Sequence, residues 1–235
     1  MDKTLFWPCR AIFLLLPVCL AGGCILFLPQ TNRSPRLAEN WRATYKVRVG
    51  FAHGSGVILT EDGYILTAAH VAKSDPVIEV AVQTGPHQWQ TRRARLVAVD
   101  DGCDLAVVKA EGGFDRHVVL AGPHDVQPGD LVYAIGYPYD TEESVGRGYV
   151  IKTDVSFEMG SGGQKVKNAL LLDMFAGPGA SGEGIFAESD GRLVSLLSGY
   201  LPLTDSREPP YLARWGASIG DIRYFLDLHG IPYYR

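Results

Sequence analysis

The stretch Asp62-Gly63-Tyr64-Ile65-Leu66-Thr67-Ala68-Ala69-His70-Val71 decides the fold. It opens with an Asp-Gly turn, continues as a short strand-like run and ends on a histidine that follows two small alanines. An imidazole with an ordinary pKa of ~6.5 can accept a proton at neutral pH. Because the two alanines let the ring approach neighbouring backbone, His70 is a candidate general base.

Two later motifs supply partners for this histidine. Asp104 heads an apolar run, Leu105 to Val108, so its carboxylate would lie at the mouth of a buried strand. There it could hold the imidazole in one tautomer. Ser181 lies in a glycine-rich turn. Such a turn is tight enough to aim the backbone N–H groups of Gly179 and Ser181 at a developing oxyanion.

The chain order of these residues is His70, Asp104, Ser181. A chymotrypsin-type double β-barrel uses this order, whereas α/β-hydrolases use Ser-acid-His and subtilisins use Asp-His-Ser. Each motif alone is compatible with a packed side chain or an ordinary loop. Together they predict a serine protease in which the three residues form a catalytic triad.

The rest of the chain is predicted to be all-β. Short strand-like runs alternate with turns rich in glycine (27 residues) and proline (14 residues). These runs are 57–59, 64–66, 77–82, 95–99, 105–109, 131–135, 148–155, 169–174, 184–186 and 193–197. Helix is expected only as a short turn near 69–71 and at 219–228, where apolar residues recur at helical spacing. We therefore predict two six-stranded antiparallel β-barrels followed by a C-terminal helix.

The N-terminus has the pattern of a targeting or anchor segment. Residues 11–28 are almost wholly apolar and follow Lys3 and Arg10, and a run of this length can span ~30 Å of hydrocarbon. We expect a transmembrane signal anchor at 1–29, a linker at 30–43 and a protease domain at 44–235. The segment Leu20–Cys24 resembles a bacterial lipobox, so lipidation of Cys24 is the alternative. Either way the domain would be periplasmic or extracellular, tethered to the bacterial envelope.

Several other function classes are disfavoured. The net charge of −4 without a basic run gives no reason to expect nucleic-acid binding. The sequence has no Cys-x-x-Cys, His-Glu-x-x-His or phosphate loop, so neither a metal nor a cofactor is expected. The Gly177–Gly182 turn fits Gly-x-Gly-x-x-Gly, but a strand-like run follows it where a dinucleotide site needs a helix.

The motifs resemble the trypsin-like peptidase domain of the bacterial HtrA/Deg family from about residue 51 to about residue 200. The stretches that carry the resemblance are Gly54-Ser55-Gly56-Val57-Ile58-Leu59-Thr60, Asp62 to Val71, Asp104 to Lys109, Gly136-Tyr137-Pro138 and Gly179-Ala180-Ser181-Gly182. The resemblance implies the same triad. HtrA proteins carry PDZ domains after the protease, and none is expected here.

The chain departs from the family pattern beside the serine, where it reads Gly179-Ala180-Ser181-Gly182-Glu183. The family usually has Asn or Asp at the second of these positions and Gly at the last. Ala180 argues against activation through a freshly cut N-terminus. The Glu183 carboxylate would either oppose the nearby oxyanion or point to solvent.

The expected substrates are proteins or peptides in extended form. Met174, Phe175 and Ala176 suggest an apolar specificity pocket, in keeping with the small aliphatic preference that the HtrA resemblance implies. The segment Leu196-Leu197-Ser198 would be the edge that pairs with substrate by β-augmentation. The alternatives are a catalytically weak or inactive protease scaffold that binds peptides as a chaperone, and a membrane-tethered assembly subunit. The sequence does not fix the oligomeric state.

Overall fold

The computed structural model describes residues 36–85, 88–140, 143–158, 165–203 and 211–235. Within these ranges the first six strands form a closed antiparallel barrel in the order β1-β2-β3-β6-β5-β4. Their bounds are β1 Thr44–Val49, β2 Ala52–Ile58, β3 Tyr64–Ala68, β4 Ile78–Gly85, β5 Gln88–Asp100 and β6 Leu105–Ala110.

The next six strands form a second closed antiparallel barrel, in the order β10-β11-β12-β9-β8-β7. Their bounds are β7 Leu131–Gly136, β8 Ser144–Glu158, β9 Lys165–Met174, β10 Gly184–Ala187, β11 Leu193–Leu203 and β12 Tyr211–Ser218. A short 3-10 helix, Pro138–Asp140, follows β7. The predicted pair of six-stranded barrels is therefore present.

Inward-facing apolar side chains of both barrels form one continuous core. Val57 and Val107 of the first barrel belong to the same buried cluster as Ile185 and Leu196 of the second. Alternation of buried and exposed positions along a strand places one face toward such a core. The two barrels thus present their adjoining loops from a rigid support.

Three short helices accompany the barrels in the described residues: α1 Leu37–Arg42, α2 Ala69–Ala72 and α3 Ile219–Leu228. The predicted C-terminal helix is α3. Ser218 caps it by accepting a hydrogen bond from the Asp221 N–H at 3.1 Å, and Ile222 and Phe225 are buried. This serine cap and apolar stripe are the features that end a strand and start a helix.

The helix α1 was not predicted, since 30–43 was expected to be a linker. It is held by Asn40, which is 1% exposed. The Asn40 amide donates to Tyr133 Oη at 2.8 Å and to the Gly191 carbonyl at 2.7 Å. The two partners lie 93 and 151 residues away in the chain, so tertiary contacts fix this helix.

The predicted signal anchor at 1–29 and the possible lipidation site Cys24 lie outside the described residues. Among the residues that are described, no helix combines the length and the apolar character needed to cross a bilayer.

Candidate active site

His70 lies at the junction of β3 and α2. Its backbone N–H donates to Asp104 Oδ1 at 2.9 Å, and its Nδ1 lies 2.7 Å from Asp104 Oδ2. One carboxylate therefore holds both the backbone and the ring of this residue. When Nδ1 carries the hydrogen that faces Asp104, Nε2 is left as the acceptor.

Asp104 immediately precedes β6 and is only 8% exposed. Its φ of 54° lies in the left-handed region, which costs most L-residues roughly 1–2 kcal/mol. The Ala69 N–H donates to the Asp104 carbonyl at 3.1 Å, next to the pairing of Ala68 with Leu105, and so holds this backbone in place. Ser198 Oγ donates to Asp104 Oδ2. The carboxylate is thus fixed by donors from β11 as well as from His70.

The electrostatics of this pair act on the imidazole. The hydrogen bond that the His70 ring donates to Asp104 raises the pKa of His70, and partial burial of the ring opposes that rise. An imidazole with a raised pKa is a stronger base, which suits it to take a proton from a hydroxyl group.

Ser181 lies in the turn between β9 and β10, and this turn is fastened to both barrels. The Ser55 N–H of β2 donates to the Ser181 carbonyl at 2.8 Å, and Ser55 Oγ donates to the Gly179 carbonyl at 3.0 Å. On the other side the Gly182 N–H donates to the Leu197 carbonyl at 2.7 Å. These bonds hold Ser181 at the cleft between the barrels.

The conformation of this turn requires glycine at position 179. Gly179 has a φ of 90°, and a Cβ there would collide with His53 Nε2 and the Tyr137 carbonyl. Across the described part of the chain, the backbone N–H groups of Gly179 and Ser181 have no protein acceptor. These two amides are the pair predicted to face an oxyanion.

A cavity of about 470 Å³ brings the predicted residues together, because His70 and Ser181 both line it. Ser181 Oγ lies 3.3 Å from the Ser198 carbonyl, and no hydrogen bond joins it to the His70 ring among the described residues. The predicted role of Ser181 as nucleophile would therefore require a rotation of its side chain toward Nε2. Such contacts commonly tighten only when substrate binds.

The predicted substrate-binding residues divide into two groups. Ala176, Leu197 and Ser198 line the cavity. Met174, Phe175 and Leu196 are not among the lining residues. Met174 and Leu196 are buried in the core, and Phe175 is 63% exposed beside Tyr139.

The predicted pairing edge also needs correction. Leu196 pairs with Gly184 on one side and with Ala217 on the other, so it offers no free edge. The ladder with β12 is irregular between Leu197 and Gly199. The strand edge open to the cavity therefore begins at Ser198.

Arg214 is a cavity residue that the sequence reasoning missed. It lies on β12, opposite Tyr200 of β11, and its Nη2 donates to the Ala176 carbonyl at 2.8 Å. No strand was predicted at 211–218. The available signal was a lone arginine between the apolar residues Ala213 and Trp215, just before a predicted helix.

Glu183 does not point to solvent, so that alternative was wrong. It is 4% exposed and packs over Gly136, where any side chain would collide with it. Burial raises the pKa of Glu183 to about 8. At neutral pH the protonated form is therefore favoured. Because Glu183 is also not among the residues that line the cavity, its carboxyl group is poorly placed to repel an oxyanion.

This burial predicts a pH-dependent stability. Below about pH 4.5 the Glu183 carboxyl is protonated in both the folded and the unfolded chain. As the pH rises toward about 8, only the unfolded chain ionises this group freely, so the free energy of unfolding should fall. The loss is about 1.4 kcal/mol per unit of pKa difference. Urea titrations of wild type and Glu183→Gln between pH 5 and 8 measure it.

Glu183→Gln keeps the shape and removes the titration. Its stability relative to wild type should therefore increase with pH. Glu143, whose pKa burial raises to about 9, titrates in both proteins and cancels in the difference. A constant difference across this range would contradict the buried position of Glu183.

Comparison with known proteins identifies the family. The profile described as trypsin-like peptidase domain matches residues 54–196. The chain belongs to this family. The matched region of this trypsin-like peptidase domain contains His70, Asp104 and Ser181.

Curated relatives confirm the resemblance to HtrA/Deg proteins. Serine endoprotease DegS of Haemophilus influenzae is 35% identical over 143 residues, which are 61% of this chain and 40% of that protein. A probable periplasmic serine endoprotease DegP-like of Halomonas elongata is 32% identical over 130 residues, 49% of this chain and 27% of that protein. Serine protease HTRA1B of Danio rerio is 36% identical over 106 residues, 45% of this chain and 21% of that protein. The chain thus spans two fifths or less of their lengths.

Solved structures share the fold of the trypsin-like peptidase domain. A serine endoprotease from Yersinia pestis has a TM-score of 0.65 and 25% identity, covering 82% of this chain and 64% of that one. An inactive mutant form of Rv3671c from M. tuberculosis H37Rv has a TM-score of 0.68, covering 86% of this chain and 93% of that one. At 16% identity the second likeness shows the fold alone.

Proposed function

We propose that the protein is a serine endopeptidase that hydrolyses peptide bonds through His70, Asp104 and Ser181. The observation that carries the proposal is the buried Asp104 carboxylate, which orients His70 at a cavity that Ser181 also lines. A base, a group that orients it and a hydroxyl in one cavity are the parts that nucleophilic acyl transfer requires.

The reaction follows from these positions. His70 Nε2 takes the hydroxyl proton as Ser181 Oγ attacks the substrate carbonyl, and Asp104 stabilises the resulting imidazolium. The N–H groups of Gly179 and Ser181 stabilise the oxyanion. His70 then gives the proton to the leaving amine, and an acyl-enzyme forms. Water attacks this ester with His70 again as base, and the acid product and free Ser181 are released.

Substrate would lie in the cavity as an extended strand. The segment beginning at Ser198 has β12 on one side and the cavity on the other, which supports backbone pairing with a peptide. Ala176, Leu197 and Leu212 form apolar walls, which are compatible with the small apolar residue expected from the sequence. Proteins with unfolded or extended segments are the proposed substrate class.

A peptide-binding module without catalysis is the second candidate. The bond from Ser181 Oγ to the Ser198 carbonyl, away from His70, favours it. A fluorophosphonate reacts only with an activated serine, so labelling of the full-length protein separates the two candidates. Labelling that Ser181→Ala abolishes supports the peptidase. Peptide binding without labelling or cleavage supports the module.

We further propose that residues 1–29 tether the protein to the bacterial envelope, with the peptidase domain periplasmic or extracellular. The apolar run and the DegP-like relative, named as probably periplasmic, support this location. Fractionation and external protease treatment of spheroplasts should find the domain membrane-bound and cleavable. Loss of lipid labelling in Cys24→Ser would replace the signal anchor with a lipoprotein. A domain found soluble in the cytoplasm contradicts both.

The rate of peptide cleavage should depend on the protonation of His70. Because Asp104 raises the pKa of His70 above its ordinary value of 6.5, kcat/KM should rise with pH to a plateau whose midpoint lies above 6.5. The imidazolium present below that pKa cannot accept the Ser181 proton. Initial rates from pH 5 to 9, with circular dichroism at each pH, provide the test. A flat profile from pH 5 to 8 with the fold intact contradicts the assignment of His70 as base.

A further inference from the structure

The cavity that holds His70 and Ser181 contains a cation from a distant part of the chain. Arg214 of β12 lines it together with Ala176 and Leu212. Among the described residues that line this cavity, none is acidic. The position is set by the β11–β12 ladder, which places Arg214 opposite Tyr200, just past the open edge that begins at Ser198.

The guanidinium of Arg214 is only partly satisfied by the protein. Its Nη2 bonds to the Ala176 carbonyl at 2.8 Å, whereas its Nε is buried with no hydrogen-bond partner in the described residues. Within that same part of the chain, Arg214 forms no ion pair with a carboxylate. The nearby Asp173 carboxylate is engaged by the hydroxyls of Tyr149 and Tyr211, which lower its pKa.

This arrangement favours one kind of occupant. A guanidinium offers five N–H donors and binds a carboxylate through two of them at once. A cation facing a cavity without a counter-ion is costly, and a bound anion removes that cost. The remaining walls at Ala176, Leu197 and Leu212 suit a short apolar stem. An aspartate or glutamate side chain has both a carboxylate for Arg214 and a short apolar stem for these walls.

We propose that Arg214 directs the peptidase to cleave after acidic residues, by binding the side-chain carboxylate of the residue whose carbonyl Ser181 attacks. The inference rests on the proposed peptidase function and replaces a small apolar preference with an acidic one. Arg214 is a specificity residue, since it contacts the substrate side chain and takes no part in proton transfer.

The test uses the full-length protein and peptides that differ only at the residue before the cleaved bond. Aspartate and asparagine form one matched pair, glutamate and glutamine another, and alanine and lysine complete the set. We expect kcat/KM to be roughly 10-fold to 100-fold higher for aspartate than for asparagine, and similarly for glutamate over glutamine. When the wild-type enzyme digests an unfolded substrate protein, mass spectrometry of the products should show cleavage after acidic residues.

Variants of Arg214 provide the second part of the test. In Arg214→Gln the aspartate-to-asparagine ratio should fall to near one, and in Arg214→Glu the lysine peptide should overtake the aspartate peptide. Arg95→Gln removes an exposed arginine from the outer face of β5 and should keep the wild-type ratio. Circular dichroism confirms that each variant folds.

A binding measurement separates this inference from the proposed function. In Ser181→Ala the cavity persists without chemistry, so the aspartate peptide should still bind more tightly than the asparagine peptide in fluorescence anisotropy. If the wild type cleaves alanine peptides best and does not distinguish aspartate from asparagine, the inference is overturned and the peptidase stands. If Arg214→Gln lowers kcat/KM for all peptides by the same factor, Arg214 only supports the Ala176 carbonyl. The inference is then again overturned. Selective binding without cleavage or labelling would retain Arg214 as the binding site for acidic side chains but overturn the peptidase.

Discussion

Replacing Ser181 by alanine is expected to lower kcat for peptide cleavage by about 10⁴-fold or more, because it removes the atom that forms the acyl-enzyme. The turn that carries Ser181 is held by its backbone, through the bonds from Ser55 and Gly182. The variant should therefore fold as wild type does. Cleavage of a quenched fluorescent peptide and fluorophosphonate labelling measure the loss.

The matched control for this variant is Ser156→Ala. Ser156 is an exposed residue of β8 in the same barrel, and surface substitutions of this kind change little. It should keep wild-type labelling and turnover. If Ser181→Ala kept wild-type cleavage, the nucleophile would have to be another residue and the proposed mechanism would be wrong.

Asp104→Asn is expected to lower kcat by about 10³-fold to 10⁴-fold with a smaller effect on KM. The asparagine amide has one acceptor oxygen, whereas Asp104 accepts from the His70 backbone, the His70 ring and Ser198 Oγ. An N–H of the amide would then face Nδ1 and favour the tautomer in which Nε2 carries the hydrogen. That tautomer cannot take the proton of Ser181.

Asp101→Asn is the control for this loss. Asp101 lies three residues earlier, with its side chain 64% exposed, and pairs with Lys73 at 2.7 Å. An exposed pair of this kind contributes only about 0–1 kcal/mol. Thermal melts should show both variants folded, and only Asp104→Asn should lose turnover. Equal turnover in the two variants would show that Asp104 supports the loop and does not orient His70.

Sequence patterns predicted the elements that are stabilised by residues close together in the chain. The helix α3 begins and ends where its apolar spacing placed it, since a serine cap and a stripe of buried residues act within a few turns. The strands β1 and β12 were missed. In β1, Lys46 and Arg48 alternate with the apolar Tyr45, Val47 and Val49, a period of two that is itself typical of a strand. In β12 the small residues Ala213, Gly216 and Ala217 give only a weak strand signal. Barrel closure supplies them with partners on both sides.

In the candidate site, too, residues that lie in local motifs could be predicted, whereas features that depend on distant strands could not. His70, Asp104 and Ser181 could be chosen from sequence because each lies in a short motif and their order matches one fold. The sequence could not decide whether Glu183 is exposed, because that depends on Gly136 of β7. It also could not show that Leu196 is paired on both sides, since one partner comes from β10 and the other from β12.

The sequence by itself determined the fold class, the family and the candidate triad, because turn glycines, alternating apolar residues and motif order are properties of neighbouring residues. Only the tertiary structure decided which side chains line the cavity, how Glu183 is buried and where Arg214 lies. These depend on strand register and barrel closure, which join residues far apart in the chain. The pairing of β11 with β12 places Arg214 opposite Tyr200, and the residues next to Arg214 in the sequence do not reveal this position.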